Sequence, residues 1–192
     1  LDAQEKKVLK LLTSVVESIA PIYEKQENPK LLGANFYPHD ATKDEILEAA
    51  TNDPDILSPH TIIERDKNGQ LIAIPYHIKF KKELEVTARL LREAAKLTKN
   101  KDLAHRLYLQ ADALLDGNYE ISDIYWLAMK PYKIDIAIGP IERYIDKLFF
   151  TKCACQAWVG VMNKKLTNEA IQFKDYIVSA RRKVLTPSEK VD

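Results

Sequence analysis

The densest run of potentially reactive side chains is IGPIERYIDKLF, from Ile138 to Phe149, where Glu142, Tyr144 and Asp146 alternate with Ile141, Arg143 and Ile145. Extended backbone sends alternate side chains to opposite faces, so a strand continuing through this segment predicts two carboxylates and a phenol in one row. Such a row has the chemistry to grip a peptide's ammonium group and to donate a hydrogen bond to a carbonyl oxygen. The same pattern also suits a solvated strand edge whose charges discourage sheet-to-sheet association. The histidines offer less. His39, His60, His77 and His105 lie 21, 17 and 28 positions apart and none begins a His-Glu pair, so the zinc-hydrolase signature of two histidines on one helical turn is missing. Cys153 and Cys155 share one face of an alternating apolar run, which predicts two buried thiols acting as small hydrophobic groups rather than a metal or redox pair. Neighbouring same-face positions on one strand also fit disulfide geometry poorly.

A pyrophosphohydrolase signature is rejected on similar grounds. Arg92-Glu93 in LLREAAKL lacks the upstream glycine and the two further carboxylates that hold magnesium in a Nudix box, and Lys96, Leu97 and Thr98 stand where ligands would follow. The elements that must position the Glu142 segment are read from periodicity. Val8, Leu11, Leu12, Val15, Val16 and Ile19 form one helix face, with Pro21 expected to end or kink the helix. Thr42 with Glu45 predicts a capping box and a short helix from Lys43 to about Thr51. TIIERDKNGQLIAIPY reads as a hairpin around Asn68-Gly69, with a two-residue turn placing Ile63 opposite Ile74. Leu84, Leu91 and Ala94 mark one helix, and Leu103, Leu107, Ala111 and Leu114 a second that Gly117 ends, together an antiparallel helical hairpin. Ser122 is the expected cap of a short helix. Ile134, Ile136 and Ile138 predict a strand stopped by Gly139-Pro140, and Cys153 to Val161 a second strand. Leu166, Ala170, Phe173, Ile177 and Ala180 define a terminal helix.

The fold class that follows is α+β, mainly helical with a small antiparallel sheet: a hairpin near 61–76 and strands near 133–139 and 153–162. Helical parts cover 1–60 and 79–130, sheet-forming parts 61–76 and 133–162, and the terminal helix 164–184. A chain of 192 residues is long enough for a sizeable core. Its 29 basic and 28 acidic residues leave a net charge of +1, which gives no electrostatic footprint for nucleic acid. No apolar run approaches the roughly 18 residues of a membrane span. Only five glycines argue against glycine-cradled nucleotides and for a helical majority. The start at Leu1 suggests a trimmed chain.

The run IGPIERYIDKLF, followed by CACQAWVGVMNKKL and preceded by GANFYP, the hairpin sequence and DIYWLAMKPYKIDIA, resembles the dipeptidyl peptidase III family of zinc metallopeptidases, in particular its bacterial branch. The resemblance runs from roughly Leu32 to Lys165. It implies the amino-terminal, substrate-binding lobe of a longer, two-lobed peptidase over 1–192, with a peptide substrate and a missing carboxy-terminal zinc-bearing lobe as partners. It also implies that Glu142 holds the peptide's amino group and that Tyr144 binds substrate and acts catalytically on the scissile region, with Asp146 supporting the segment. Gln156 stands where the family usually has a further glutamate, so it is a substrate-binding position with one charge fewer. Phe150 and Thr151 replace a glycine and an aromatic residue, and Ile145 an acid. Zinc is expected in the parent enzyme, with no metal ligand in this chain, because the family's zinc motifs lie downstream. The isolated chain is therefore expected to be inactive. The alternative is a stand-alone peptide-binding or interaction module without catalysis. The expected compartment is the cytoplasm, or the periplasm or exterior after signal removal.

Overall fold

The computed structural model describes residues 1–184. In chain order it contains helix α1 (Ala3–Gln26), helix α2 (Lys43–Asn52), a 3-10 turn (Pro54–Leu57), strands β1 (Thr61–Arg65) and β2 (Leu71–Pro75), and helices α3 (Tyr76–Lys79), α4 (Lys81–Leu97), α5 (Lys101–Asp116) and α6 (Glu120–Ala128). Strands β3 (Ile134–Glu142) and β4 (Ala154–Val161) and helix α7 (Lys164–Val184) complete it. This is the mainly helical α+β architecture expected, with two small two-stranded sheets, β1-β2 and β3-β4. Among the described residues no helix is long and apolar enough to cross a membrane. Among the described residues, 1–160 form one compact unit and 161–184 belong to a second.

In the first unit α1, α4 and α5 pack side by side, α4 and α5 as the expected helical hairpin. Leu12, Val15 and Ile19 of α1 meet Leu84, Ala88 and Leu91 of α4 and Leu103, Leu107 and Leu114 of α5 in one core. A complete capping box starts α1, with Asp2 accepting from the Glu5 N–H at 2.8 Å and Glu5 from the Asp2 N–H at 2.7 Å. Pro21 does not stop this helix. Proline forfeits one N–H bond to the preceding turn, but Ile22 and Gln26 extend the buried stripe to the end of α1, and that burial carries the helix through. At Thr42 only half of the expected box forms. The hydroxyl accepts from the Glu45 N–H, while the Glu45 carboxylate is drawn away to Arg65 at 2.7 Å.

The hairpin sits where expected but one residue out of the expected register: Ile62 faces Ile74 and Ile63 faces Ala73. The cause is Asp66. Its carboxylate accepts from the N–H groups of Asn68 and Gln70, and its carbonyl from Gly69, so the turn takes three residues, with Gly69 in the left-handed region at φ +81°. A type I turn closed by a left-handed glycine bulge displaces the two-residue turn.

Strand β3 also overruns its predicted stop and continues through Gly139-Pro140 to Glu142. Gly139 has φ +134°, and a Cβ there would lie 3.4 Å from both Gln110 and the Tyr119 ring, so glycine is required. Pro140 is tolerated because β3 pairs with β4 alone, leaving an edge on which no ladder N–H is needed. Side chains of α5 serve the β3 carbonyls instead. Arg106 donates to the Ile136 carbonyl and Gln110 to the Ile138 carbonyl at 2.7 Å. Ser122 is not a helix cap. It lies one turn inside α6, buried, and donates to Gln110 Oε1 at 2.6 Å. In the second unit α7 covers the predicted residues and presents Leu166, Phe173 and Ile177 to solvent.

Candidate functional site

The Glu142 segment leaves β3 and turns, and this breaks the predicted row. Extended backbone ends at Glu142, and Tyr144 and Ile145 form a turn. Glu142 is half-buried at the strand end, Tyr144 is 57% exposed, and Asp146 is completely buried. The three side chains therefore do not share a face, because the Asp146 carboxylate is worth more inside. It accepts from the N–H groups of Leu148, Phe149, Thr151 and Lys152 at 3.0–3.2 Å and from the Tyr37 hydroxyl at 3.4 Å. A buried anion is stable only when hydrogen-bonded in this way. Asp146 thus organises the loop, and Phe150 within that loop adopts the left-handed region at φ +57°. Glycine costs nothing in that conformation, whereas a phenylalanine there is strained by roughly 1–2 kcal/mol.

Lys152, the next residue into the interior, is also fully buried. Its three ammonium protons go to the Ile56 carbonyl at 2.7 Å, the Ser58 carbonyl at 2.9 Å and the Thr61 hydroxyl at 2.7 Å, fastening the loop to the 3-10 turn and β1. Burial pushes its pKa down to about 7, against the pull of Asp146 and Asp55. Neither Lys152 nor Asp146's enclosure is legible from spacing, since a lysine after an aromatic-rich turn reads as surface.

Tyr144 and Gln156 do come together. Gln156 on β4 donates from Nε2 to the Tyr144 hydroxyl at 3.2 Å. Its other amide atom, Oε1, is shut off from solvent and has no hydrogen-bond partner among the described residues. Beside them stands Tyr23 of α1, which the sequence did not single out. Burial and the neighbouring Tyr144 and Glu27 raise the Tyr23 phenol to about 12, and its hydroxyl donates to Glu27 at 3.3 Å. Gln26 fixes α1 against β4 here, accepting from the Cys155 N–H at 2.7 Å. One signal could have found it: Gln26 continues the apolar stripe Ile19, Ile22, so a polar group had to be buried and paired. Both cysteines are free and buried, as expected, and burial pushes the Cys155 thiol up to about 12.

The described residues do not fit a zinc ion. No group of three or more His, Cys, Asp and Glu side chains converges among them. His60 packs on Tyr119 at 5.2 Å, His105 on Tyr125 at 4.7 Å, and His77 against Gly117. Arg92 and Glu93 pair with Asp112 and Arg89 on the helix surface, far from a magnesium cluster in character.

Among solved structures this helix-rich α+β lobe is similar to peptidases. The match is to dipeptidyl peptidase III. The enzyme from Caldithrix abyssi superposes with a TM-score of 0.86 at 26% identity over 95% of this chain and 44% of its own. Dipeptidyl-peptidase III from Corallococcus sp. strain EGB gives 0.81 at 25% identity over 90% of this chain and 42% of its own. The chain is dipeptidyl peptidase III-like and corresponds to the amino-terminal part of those proteins, spanning less than half their length. In sequence it is 30% identical over 168 aligned residues to Nudix hydrolase 3 of Arabidopsis thaliana, covering 74% of this chain and 22% of that protein. The chain itself has no Nudix box. No family model matches.

Proposed function

We propose that this chain is the substrate-binding part of a dipeptidyl peptidase III-like exopeptidase and that it binds the free amino terminus of a peptide at the Glu142, Tyr144 and Gln156 face. The observation that carries this reading is the pairing of Tyr144 with Gln156 beside the end of β3, in a chain with the dipeptidyl peptidase III fold. In it Glu142, held by no hydrogen bond or ion pair among the described residues, takes the ammonium group. Tyr144 offers its exposed hydroxyl to a peptide carbonyl, and Asp146 positions the turn without touching substrate. Zinc, for which the described residues have no ligand cluster, belongs to sequence outside these 192 residues, as does the catalytic step. The two free, buried cysteines favour a reducing compartment such as the cytoplasm.

Calorimetric titration with short peptides tests the reading. Acetylating the peptide amine should weaken binding by roughly ten- to a hundredfold, the worth of a charge-assisted hydrogen bond shielded from water. Glu142→Gln should reproduce that loss for free peptides and leave acetylated ones unaffected. Equal affinity for free and acetylated peptides, or an indifferent Glu142→Gln variant, would overturn it. With zinc added, the chain should turn over no dipeptidyl naphthylamide.

A further inference from the structure

Helix α7 carries an apolar stripe that the described residues leave uncovered. Leu166, Ala170, Phe173, Ile177 and Ala180 follow one another at spacings of 4, 3, 4 and 3. Apolar residues that recur about every 3.5 positions keep to one side of a helix and interlock with the same pattern on a facing helix. The chain uses this device elsewhere. Val8, Leu12, Val15 and Ile19 of α1 and Leu84, Ala88 and Leu91 of α4 are spaced in the same way, and both stripes are buried in the helical core. On α7 the stripe is bare, with Leu166 59%, Phe173 67% and Ile177 57% exposed. The residues that flank it say which helix fits. With Ala170 and Ile177 at heptad positions a and Leu166, Phe173 and Ala180 at positions d, Glu169 and Tyr176 fall at g, and Thr167, Lys174 and Arg181 at e. In a parallel pair of helices each g residue meets the following e residue of the other helix. Two copies of α7 would therefore set Glu169 of one against Lys174 of the other, and Tyr176 against Arg181, each contact occurring twice by symmetry. The first contact is an ion pair, and neither Glu169 nor Lys174 has another among the described residues. The second places a guanidinium on a phenol ring. All four side chains are exposed. Antiparallel helices would instead set e positions against e positions, and Thr167, Lys174 and Arg181 hold no acid among them.

We infer that α7 is a docking helix whose occupant is α7 of a second copy of this chain, the two running parallel with Leu166, Phe173 and Ile177 each facing its counterpart. The stripe from Leu166 to Ala180 spans little more than two heptads, so the association is weak and depends on concentration. Sedimentation equilibrium should find the chain monomeric at about 1 µM and mostly dimeric at about 100 µM. Ile177→Asp places a charge in the seam and should keep the chain monomeric throughout. Because Ile177 is exposed in the single copy, circular dichroism at about 1 µM should be the same for this variant and the parent. Glu169→Lys sets like charges together at both ion pairs and should weaken the dimer about tenfold, and adding Lys174→Glu to it should restore the parent affinity. A chain that stays monomeric at about 100 µM overturns the proposal and leaves the stripe to a different polypeptide. A dimer that survives Ile177→Asp overturns it as well, because the contact then lies elsewhere. So does a doubly reversed variant no tighter than Glu169→Lys alone, since the exchange is neutral only where Glu169 and Lys174 meet across a parallel seam.

Discussion

Asp146 and Gln156 lie ten positions apart in one motif, and the fold treats them in opposite ways. Around Asp146 every polar atom is answered: four backbone N–H groups and a phenol reach its carboxylate, and the adjacent Lys152 finds three oxygen acceptors. Around Gln156 the accounting stays open, with Oε1 unmet, Tyr144 exposed and Glu142 unpaired among the described residues. A charge that is fully satisfied inside the protein has no capacity left for a ligand, whereas a half-buried carboxylate or an exposed hydroxyl can still exchange water for one. The contrast separates residues that build the turn from residues the turn presents, although all of them alternate in a single short sequence.

The sharpest way to break this contrast is to remove the carboxylate. Asp146→Ala strands four N–H groups in the interior, and the expected loss is about 3–5 kcal/mol of unfolding free energy, measured by urea denaturation. Asp146→Asn keeps one acceptor oxygen and should lose less. A loss under about 1 kcal/mol would place Asp146 among the presented residues instead.

Lys152 gives an effect of intermediate size, and it depends on pH. Its ammonium is depressed from 10.5 to about 7 by burial in the folded state. Between those values the unfolded chain holds a proton that the folded chain has released, so stability rises with pH across this window and is flat below it. The gain from pH 7 to 9 should be about 1–2 kcal/mol, since the three oxygen acceptors favour the charged form and offset part of the desolvation. Lys152→Met should lose the rise while being less stable than the parent at pH 7, because three acceptors are left bare. Parallel stability curves for the two proteins would show that Lys152 stays charged throughout.

Much of this fold could be read from periodicity, and the failures share a cause. The helix faces of α4 and α5 and the existence of all four strands follow from apolar spacing, because those side chains only need to be buried. Wherever a polar side chain chose between neighbours, spacing misled. Asp66 captured two N–H groups and moved the hairpin register by one, Glu45 left its capping partner for Arg65, and Ser122 turned inward to Gln110. The site shows the same division. Residue types selected Glu142, Tyr144 and Asp146, the family resemblance added Gln156, and the pairing of Tyr144 with Gln156 is a 3.2 Å contact across the two strands' ends. The burial of Asp146 and the arrival of Tyr23 from α1 depend on contacts more than a hundred positions apart, which no local pattern carries.

The smallest expected effect is at Tyr144, and its smallness is the point. Tyr144→Phe removes one hydroxyl from a side chain that is more than half exposed, and Gln156 Nε2 can turn to water in exchange, so stability should move by less than about 0.5 kcal/mol. Peptide affinity should nevertheless fall by roughly three- to tenfold, the value of a single neutral hydrogen bond of about 1 kcal/mol. Urea denaturation and calorimetric titration of the same preparation read both quantities. A presented residue changes binding and spares stability, and a structural one does the reverse. If Tyr144→Phe costs more than about 1 kcal/mol of stability and leaves peptide affinity untouched, Tyr144 belongs with Asp146, and the face beside Gln156 loses its functional meaning.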